Sequence, residues 1–300
     1  MKTLSLTLLD SRYIADLRVD ASALSIDQLH GRTGSQIAEL VLDSNVGPIR
    51  LGELFTIEFG SSVGEQASVD RLVLRGDLSR FDGLCASTRF GSTIVVGSVG
   101  NDFAKTQQGG WIYVDGSVGQ RALSDKRGGF CLIGGNAADG FGNPLPGKLQ
   151  GIQGGDSIVL GNLGNRACER MRRGILVVGG NIGQHLAHQW IAGTILAMQH
   201  IGHQWCAHMR RGSLIVRGEC PANPGATLSA YRRLELSFLP ILWRHLRELL
   251  AHAAMNSELS LDLQARCEGF RIGLPTGRQV LRSIGDRECE GQGEVLVLQD

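Results

Sequence analysis

The sequence predicts an all-β protein, a right-handed parallel β-helix of about seven to eight coils of 19 residues with small α/β caps at both ends. Three observations carry that prediction. Glycines recur at Gly91, Gly110, Gly129, Gly155, Gly174, Gly193 and Gly212, and every interval is 19 residues except the step from Gly129 to Gly155, which is 26. The residues between successive glycines are rich in Val, Ile, Leu and Tyr, a run too short for an ordinary helix and suited to a pleated strand. Stacked units also align in columns: four residues after each glycine stand Val95, Val114, Ile133, Val159, Val178, Ala197 and Val216, an aliphatic row expected to face inward. Parallel crossovers are overwhelmingly right-handed, which sets the expected hand.

The elements follow in order. Residues 1–60 lack the repeat and are expected to cap one end. Within them Leu24 to Leu29 and Thr33 to Leu42 carry helix-like spacing, with Ile37, Leu40 and Val41 sharing a face, and Leu51 to Phe59 alternates as a strand. Residues 61–220 hold the repeats, opening with a degenerate first coil at Arg71 to Gly76. The seven extra residues of the long interval fall within Gly140 to Gln150, where Pro144 and Pro146 require an excursion from one edge. Residues 221–300 form the second cap. Pro240 is placed for a first helical turn, Ile241, Leu242, Leu246, Leu249 and Leu250 are expected on one helical face, and the stretch from Gly291 to Leu298 reads as a final strand.

Two further columns bear on function. Seven residues after each glycine stand Ser98, Ser117, Asn136, Asn162, Asn181, His200 and Glu219, suggesting a ladder of side-chain amides bonded from coil to coil, or a polar binding stripe. Three residues after each glycine stand Ile94, Tyr113, Leu132, Ile158, Val177, Leu196 and Ile215. This column should face away from the inward one, yet it is apolar throughout. It therefore needs a cover: the C-terminal segment, a docked partner, or both.

Composition narrows the function classes. The 300 residues include 30 basic and 29 acidic ones, a net charge of +1, which lacks the basic surplus of a nucleic-acid binder. No apolar run approaches membrane-spanning length, and the N-terminus has no secretory signal pattern, so a cytoplasmic protein is expected. The seven cysteines include no C-x-x-C pair; Cys168 and Cys206 fall in one column two coils apart, nearly 10 Å on the strand spacing, too far for a disulfide.

His185, His188, His200, His203 and His208 invite a metal hypothesis, but no two share a column and no carboxylate or cysteine recurs beside them, so no metal site is expected. Arg127, Arg172 and Arg210 stand two residues before their glycines, and Arg173 and Arg211 add a second charge, making a partial basic ridge suited to an acidic partner or a polyanion. No glycine pair follows a strand and opens a helix, no His-Glu-x-x-His is present, and no catalytic constellation is identified.

Units such as Met171 to Gly183 and Met209 to Gly218 resemble the glycine-repeat domain of the C-type subunit family of formylmethanofuran dehydrogenase, a domain also found at the end of the glutamate synthase large chain. Leu51 to Phe55 is similar to the leader of that family, and Leu239 to Leu246 with Gly291 to Leu296 is similar to its tail. Where the family often has a further glycine, this chain has Ala104, Leu123, Cys168, Ala187 and, near the same place, Ala207, and Gln199 replaces a repeat glycine. Such erosion is similar to that of a bacterial branch, the C-type subunit of the formyltransferase/hydrolase complex of methylotrophs. The resemblance implies a non-catalytic scaffold in one-carbon metabolism. Its complex would carry a formyl group from tetrahydromethanopterin to a methanofuran-type carrier and hydrolyse it to formate. The implied partners are a formyltransferase subunit, a zinc-bearing amidohydrolase-like subunit and a dehydrogenase-subunit-B-like chain, with no cofactor on this one. The alternatives are the C-type subunit of a molybdenum or tungsten formylmethanofuran dehydrogenase and a stand-alone polyanion-binding β-helix.

Overall fold

A computed structural model describes residues 2–9, 16–60, 69–219, 222 and 224–299. Cys220 and the opening residues 61–68 of the expected repeat region lie outside the described residues. The N-terminal region contributes β1 (Thr3–Leu8), β2 (Val19–Asp20), α1 (Ile26–Leu29), α2 (Gly34–Ala38), β3 (Val41–Ser44), β4 (Ile49–Arg50), α3 (Leu51–Leu54) and β5 (Phe55–Phe59). A capping box starts α2: the Thr33 hydroxyl accepts from the Gln36 amide while the Gln36 side chain accepts from the Thr33 amide. Helix α2 ends at Ala38, so Val41 belongs to a strand and is exposed. Leu51 opens a single helical turn, and only Phe55–Phe59 is strand, paired antiparallel with β1.

The repeats then supply β6 (Arg71–Arg75), the short β7 (Phe81–Asp82), β8 (Ser92–Val96), β9 (Trp111–Val114), β10 (Phe130–Ile133), β11 (Asp156–Val159), β12 (Ile175–Val178), β13 (Thr194–Ala197) and β14 (Ser213–Val216). From β8 to β14 neighbours pair in parallel and in the glycine register, with Ile94 opposite Tyr113, Leu132 opposite Ile158 and Leu196 opposite Ile215. A second contact per repeat is a single bridge, running Val99 to Val118, Ala137, Leu163, Ile182 and Ile201. The chain ends with β15 (Arg232–Glu235), α4 (Leu239–Ala254), α5 (Leu261–Ile272), β16 (Gln279–Gly285) and β17 (Gly293–Leu298).

Among the described residues the main sheet has 13 strands in the order β15-β16-β17-β14-β13-β12-β11-β10-β9-β8-β6-β1-β5. Apolar side chains fill both of its faces. The Val95 column joins one core with Ile112, Trp190 and Trp205. The Ile94 column joins another with Leu242, Trp243, Leu246 and Leu250 of α4 and Leu263 and Cys267 of α5. The alternation of strand side chains thus produces two cores rather than one.

These features correct the predicted class. The protein is not an all-β right-handed parallel β-helix but a mixed α/β fold built on a mixed sheet. β5 pairs antiparallel with β1, and β16 pairs antiparallel with both β15 and β17. Helices of 16 and 12 residues cover one face. The physical reason lies in what each repeat can pair. Only one run per repeat forms a continuous ladder; the remainder is single bridges and turns whose residues take left-handed backbone angles. A stack of such units leaves two open sheet edges and one apolar face. Antiparallel strands extend the sheet beyond both ends of the stack, and the two helices cover the apolar face.

The C-terminal helix also departs from its predicted face. Leu242, Leu246, Leu249 and Leu250 are buried as expected, but Ile241 is 61% exposed and Trp243 takes its place. Among the described residues, no helix is long and apolar enough to cross a membrane.

Candidate functional site

The repeat register builds one cleft from residues that the sequence singled out. Arg172 and Arg173, Ile191 and Ala192, and Arg210 and Arg211 occupy equivalent places in three consecutive repeats and line a cleft of about 480 Å³. Its backbone is held by inter-repeat bonds: the Arg172 amide donates to the Ile152 carbonyl, the Ile191 and Ala192 amides to that of Met171, and the Arg210 amide to that of Trp190. Beneath the floor, Trp190 is fully buried and its indole Nε1 donates to the Ala192 carbonyl at 2.7 Å. The floor is therefore rigid and half-buried, and the four arginines around it are exposed. The Arg172 guanidinium donates to Gln150 Oε1 at 3.2 Å. None of the four pairs with a carboxylate among the described residues.

Arg127 does not join them. Its guanidinium sits 3.1 Å from the carboxylate of Asp125, a buried acid that neutralises it. The ridge read from the sequence is thus two arginine pairs separated by an apolar step.

A second cleft, about 750 Å³, opens where the starts of β8 and β9 face the end of α4. Trp111 lines it and packs on the His252 ring at 4.6 Å. The Tyr113 hydroxyl lies 2.8 Å from His252 Nδ1, and burial pushes the Tyr113 phenol well above its usual range. The His252 group was missed in the sequence because it joins positions 139 residues apart, outside any repeat.

The apolar column Ile94, Tyr113, Leu132, Ile158, Val177, Leu196 and Ile215 is buried under α4 and α5. Of the covers the sequence left open, the structure has the chain's own, so this column is not an open docking surface. Ion pairs hold the cover in place: Glu258, after α4, reaches Arg71 at 3.6 Å and Arg75 at 3.1 Å.

The polar column differs in detail from an amide-to-amide ladder. From Ser98 to Asn162 the side-chain oxygen accepts from the backbone amide of the next repeat: Ser98 from Ser117, Ser117 from Asn136, Asn136 from Asn162, and Asn162 from Asn181. A parallel ladder runs three residues further on, in which Asn101 accepts from the Gln120 amide and Asn165 from the Gln184 amide. The glycines of the repeat lie at positive φ, from 70° at Gly110 to 115° at Gly193. At the places where a family glycine is replaced, Ala104, Leu123, Cys168 and Ala187 also take positive φ, between 48° and 59°. The next member of that column is Cys206, not Ala207.

His188 and His208, assigned to different columns, nevertheless meet edge to face at 5.6 Å. Burial lowers the His188 pKa, with the charge of Glu169 acting against it. Among the described residues, no three or more His, Cys, Asp or Glu side chains form a group that could hold a metal ion. Cys168 is buried, and burial pushes its thiol up to about 12.

Inside the first core, Lys126 is fully buried, its Nζ donating to Gln107 Oε1 at 2.8 Å and to the Gly129 and Asp156 carbonyls at 2.9 and 3.2 Å. Burial pushes this amine down to about 8. The register held a signal for it. Three residues before the glycines the column reads Thr88, Gln107, Lys126, Ile152, Met171, Trp190 and Met209, three polar residues followed by four apolar ones, with Lys126 its one charged member.

Against known proteins, no protein-family model matches the chain, and no curated protein does so either. A solved structure is similar to it along the whole length. That chain belongs to the X-ray crystal structure of the formyltransferase/hydrolase complex (FhcABCD) from Methylorubrum extorquens in complex with methylofuran. The match has a TM-score of 0.77 at 26% identity, covering 99% of this chain and 100% of the other.

Proposed function

We propose that this chain is a non-catalytic scaffold subunit of a formyltransferase/hydrolase-type complex. One observation carries the reading: end-to-end similarity, helices and antiparallel edges included, to a chain of such a complex. Similarity confined to the repeats would support only a shared repeat. In this reading the assembly takes the formyl group of formyl-tetrahydromethanopterin to formate through a methanofuran-type carrier. The carrier and the hydrolase zinc belong to other subunits: a formyltransferase, an amidohydrolase-like chain and a dehydrogenase-subunit-B-like chain. The cores and ladders supply a rigid body on which such subunits assemble.

Native mass measurement after gentle extraction from the source cell tests this. The expected result is an assembly containing a formyltransferase and an amidohydrolase-like subunit. A monomer, or an assembly carrying molybdenum or tungsten pterin, overturns it.

A further inference from the structure

The structure assigns the cleft between Arg172, Arg173, Arg210 and Arg211 as a docking site for an acidic polypeptide segment, supplied, on the reading above, by another subunit of the assembly. Three features of the cleft argue for this. Charge comes first. Several other surface arginines are each matched by an acid: Arg18 by Asp82, Arg89 by Asp27, Arg121 by Asp102 and Arg282 by Glu294. Here four exposed guanidinium groups converge on one cleft with no carboxylate partner among the described residues. A guanidinium presents a fork of donors that suits a carboxylate's two oxygens.

Spacing comes second. The two arginine pairs stand 38 residues apart in sequence, two steps of the parallel register, or about 10 Å at the usual strand separation. An extended peptide rises about 3.3 Å per residue, so acids roughly two to four residues apart span that gap once side-chain reach is included.

The floor comes third, and it selects the class of ligand. Ile191 and Ala192 present a half-buried apolar step between the charged pairs, held by the Trp190 indole below. An apolar residue between two acids fits that step. A nucleic acid would call for aromatic platforms under its bases and a basic surplus around them. The cleft lining has no aromatic ring, and the chain carries a net charge of only +1.

The test uses the purified full chain and a fluorescein-labelled peptide of repeating Glu-Leu-Glu units, read by anisotropy. Saturable binding that weakens with added salt is expected. The double variant Arg173→Glu, Arg211→Glu should weaken it about tenfold or more. The control Arg232→Glu, Arg233→Glu, on the exposed edge strand, should change it less than about twofold. Should the reversal disturb folding, Arg173→Ala and Arg211→Ala taken singly should each cost about threefold with an unchanged melting transition. No saturable binding, equal loss in both double variants, or tighter binding of a single-stranded RNA of matched length overturns the assignment. Because this readout needs no partner, it can fail while the native-mass experiment succeeds, and the reverse.

Discussion

The hydroxyl of Tyr113 and Nδ1 of His252 lie 2.8 Å apart, tying the outward face of β9 to the last turns of α4. The bond sits at the rim of the outer core, where Trp111 covers the same imidazole. Replacing Tyr113 with Phe keeps the ring and removes only the bond. The expected cost is about 1 kcal/mol, measured by urea unfolding. An equal loss in Tyr113→Phe whether or not His252 is already Ala would show that the two groups are not coupled.

Trp243 anchors the same helix more deeply. It is 1% exposed, and its Nε1 donates to the Gly277 carbonyl at 2.9 Å. Trp243→Ala should destabilise by about 3–5 kcal/mol. Loosening α4 bares the apolar column beneath it, so binding of a hydrophobic dye in the native baseline should rise as well. Destabilisation without added dye binding would place the loss elsewhere.

Lys126 predicts a pH dependence of opposite sense to that of an ion-paired lysine. Its folded pKa is pushed down to about 8 by burial, against about 10.4 in an unfolded chain. Between those values the unfolded chain holds a proton that the folded one lacks, so stability contributed at this site rises with pH. The unfolding free energy of the wild type relative to Lys126→Met should therefore increase from about pH 8 to about pH 10. A difference that stays flat, or falls, contradicts the assignment.

Two glycines should respond in opposite directions. Gly110 has φ +70°, and a Cβ there would meet the Phe90 carbonyl oxygen at 2.8 Å, so Gly110→Ala should cost about 2 kcal/mol or more. Gly269 lies inside α5 with nothing within 4 Å of an added Cβ, and Gly269→Ala should gain about 0.5–1 kcal/mol. Thermal melts of the two variants check both signs. Similar shifts in one direction would mean that close packing of the repeats is not what sets the glycine spacing.

Much of the local structure was legible because it repeats. Val95 and Ile94 could be assigned to opposite strand faces from alternation alone, and each lies in its own core. Ile241 lies on the opposite side of its helix from the sequence expectation, because periodicity in a single segment does not say which apolar residues face the sheet; Trp243 faces it instead, held by its bond to the Gly277 carbonyl. The fold class failed for a related reason. A repeat reports what neighbouring units do to each other and nothing about how the stack ends, and here it ends in antiparallel strands and helices.

The candidate site divides along the same line. Equal spacing in sequence becomes adjacency in space, so the sequence by itself determined that Arg172 and Arg210 lie on one edge two steps apart. Only the tertiary structure decided which charges remain available there. Asp125 withdraws Arg127 from the ridge at 3.1 Å, while the cleft arginines meet no acid among the described residues. It also decided that α4 and α5 cover the apolar column. Registry is a local property, set by the hydrogen bonds of one repeat to the next. Pairing of charges and covering of a face depend on side chains brought together from distant parts of the chain.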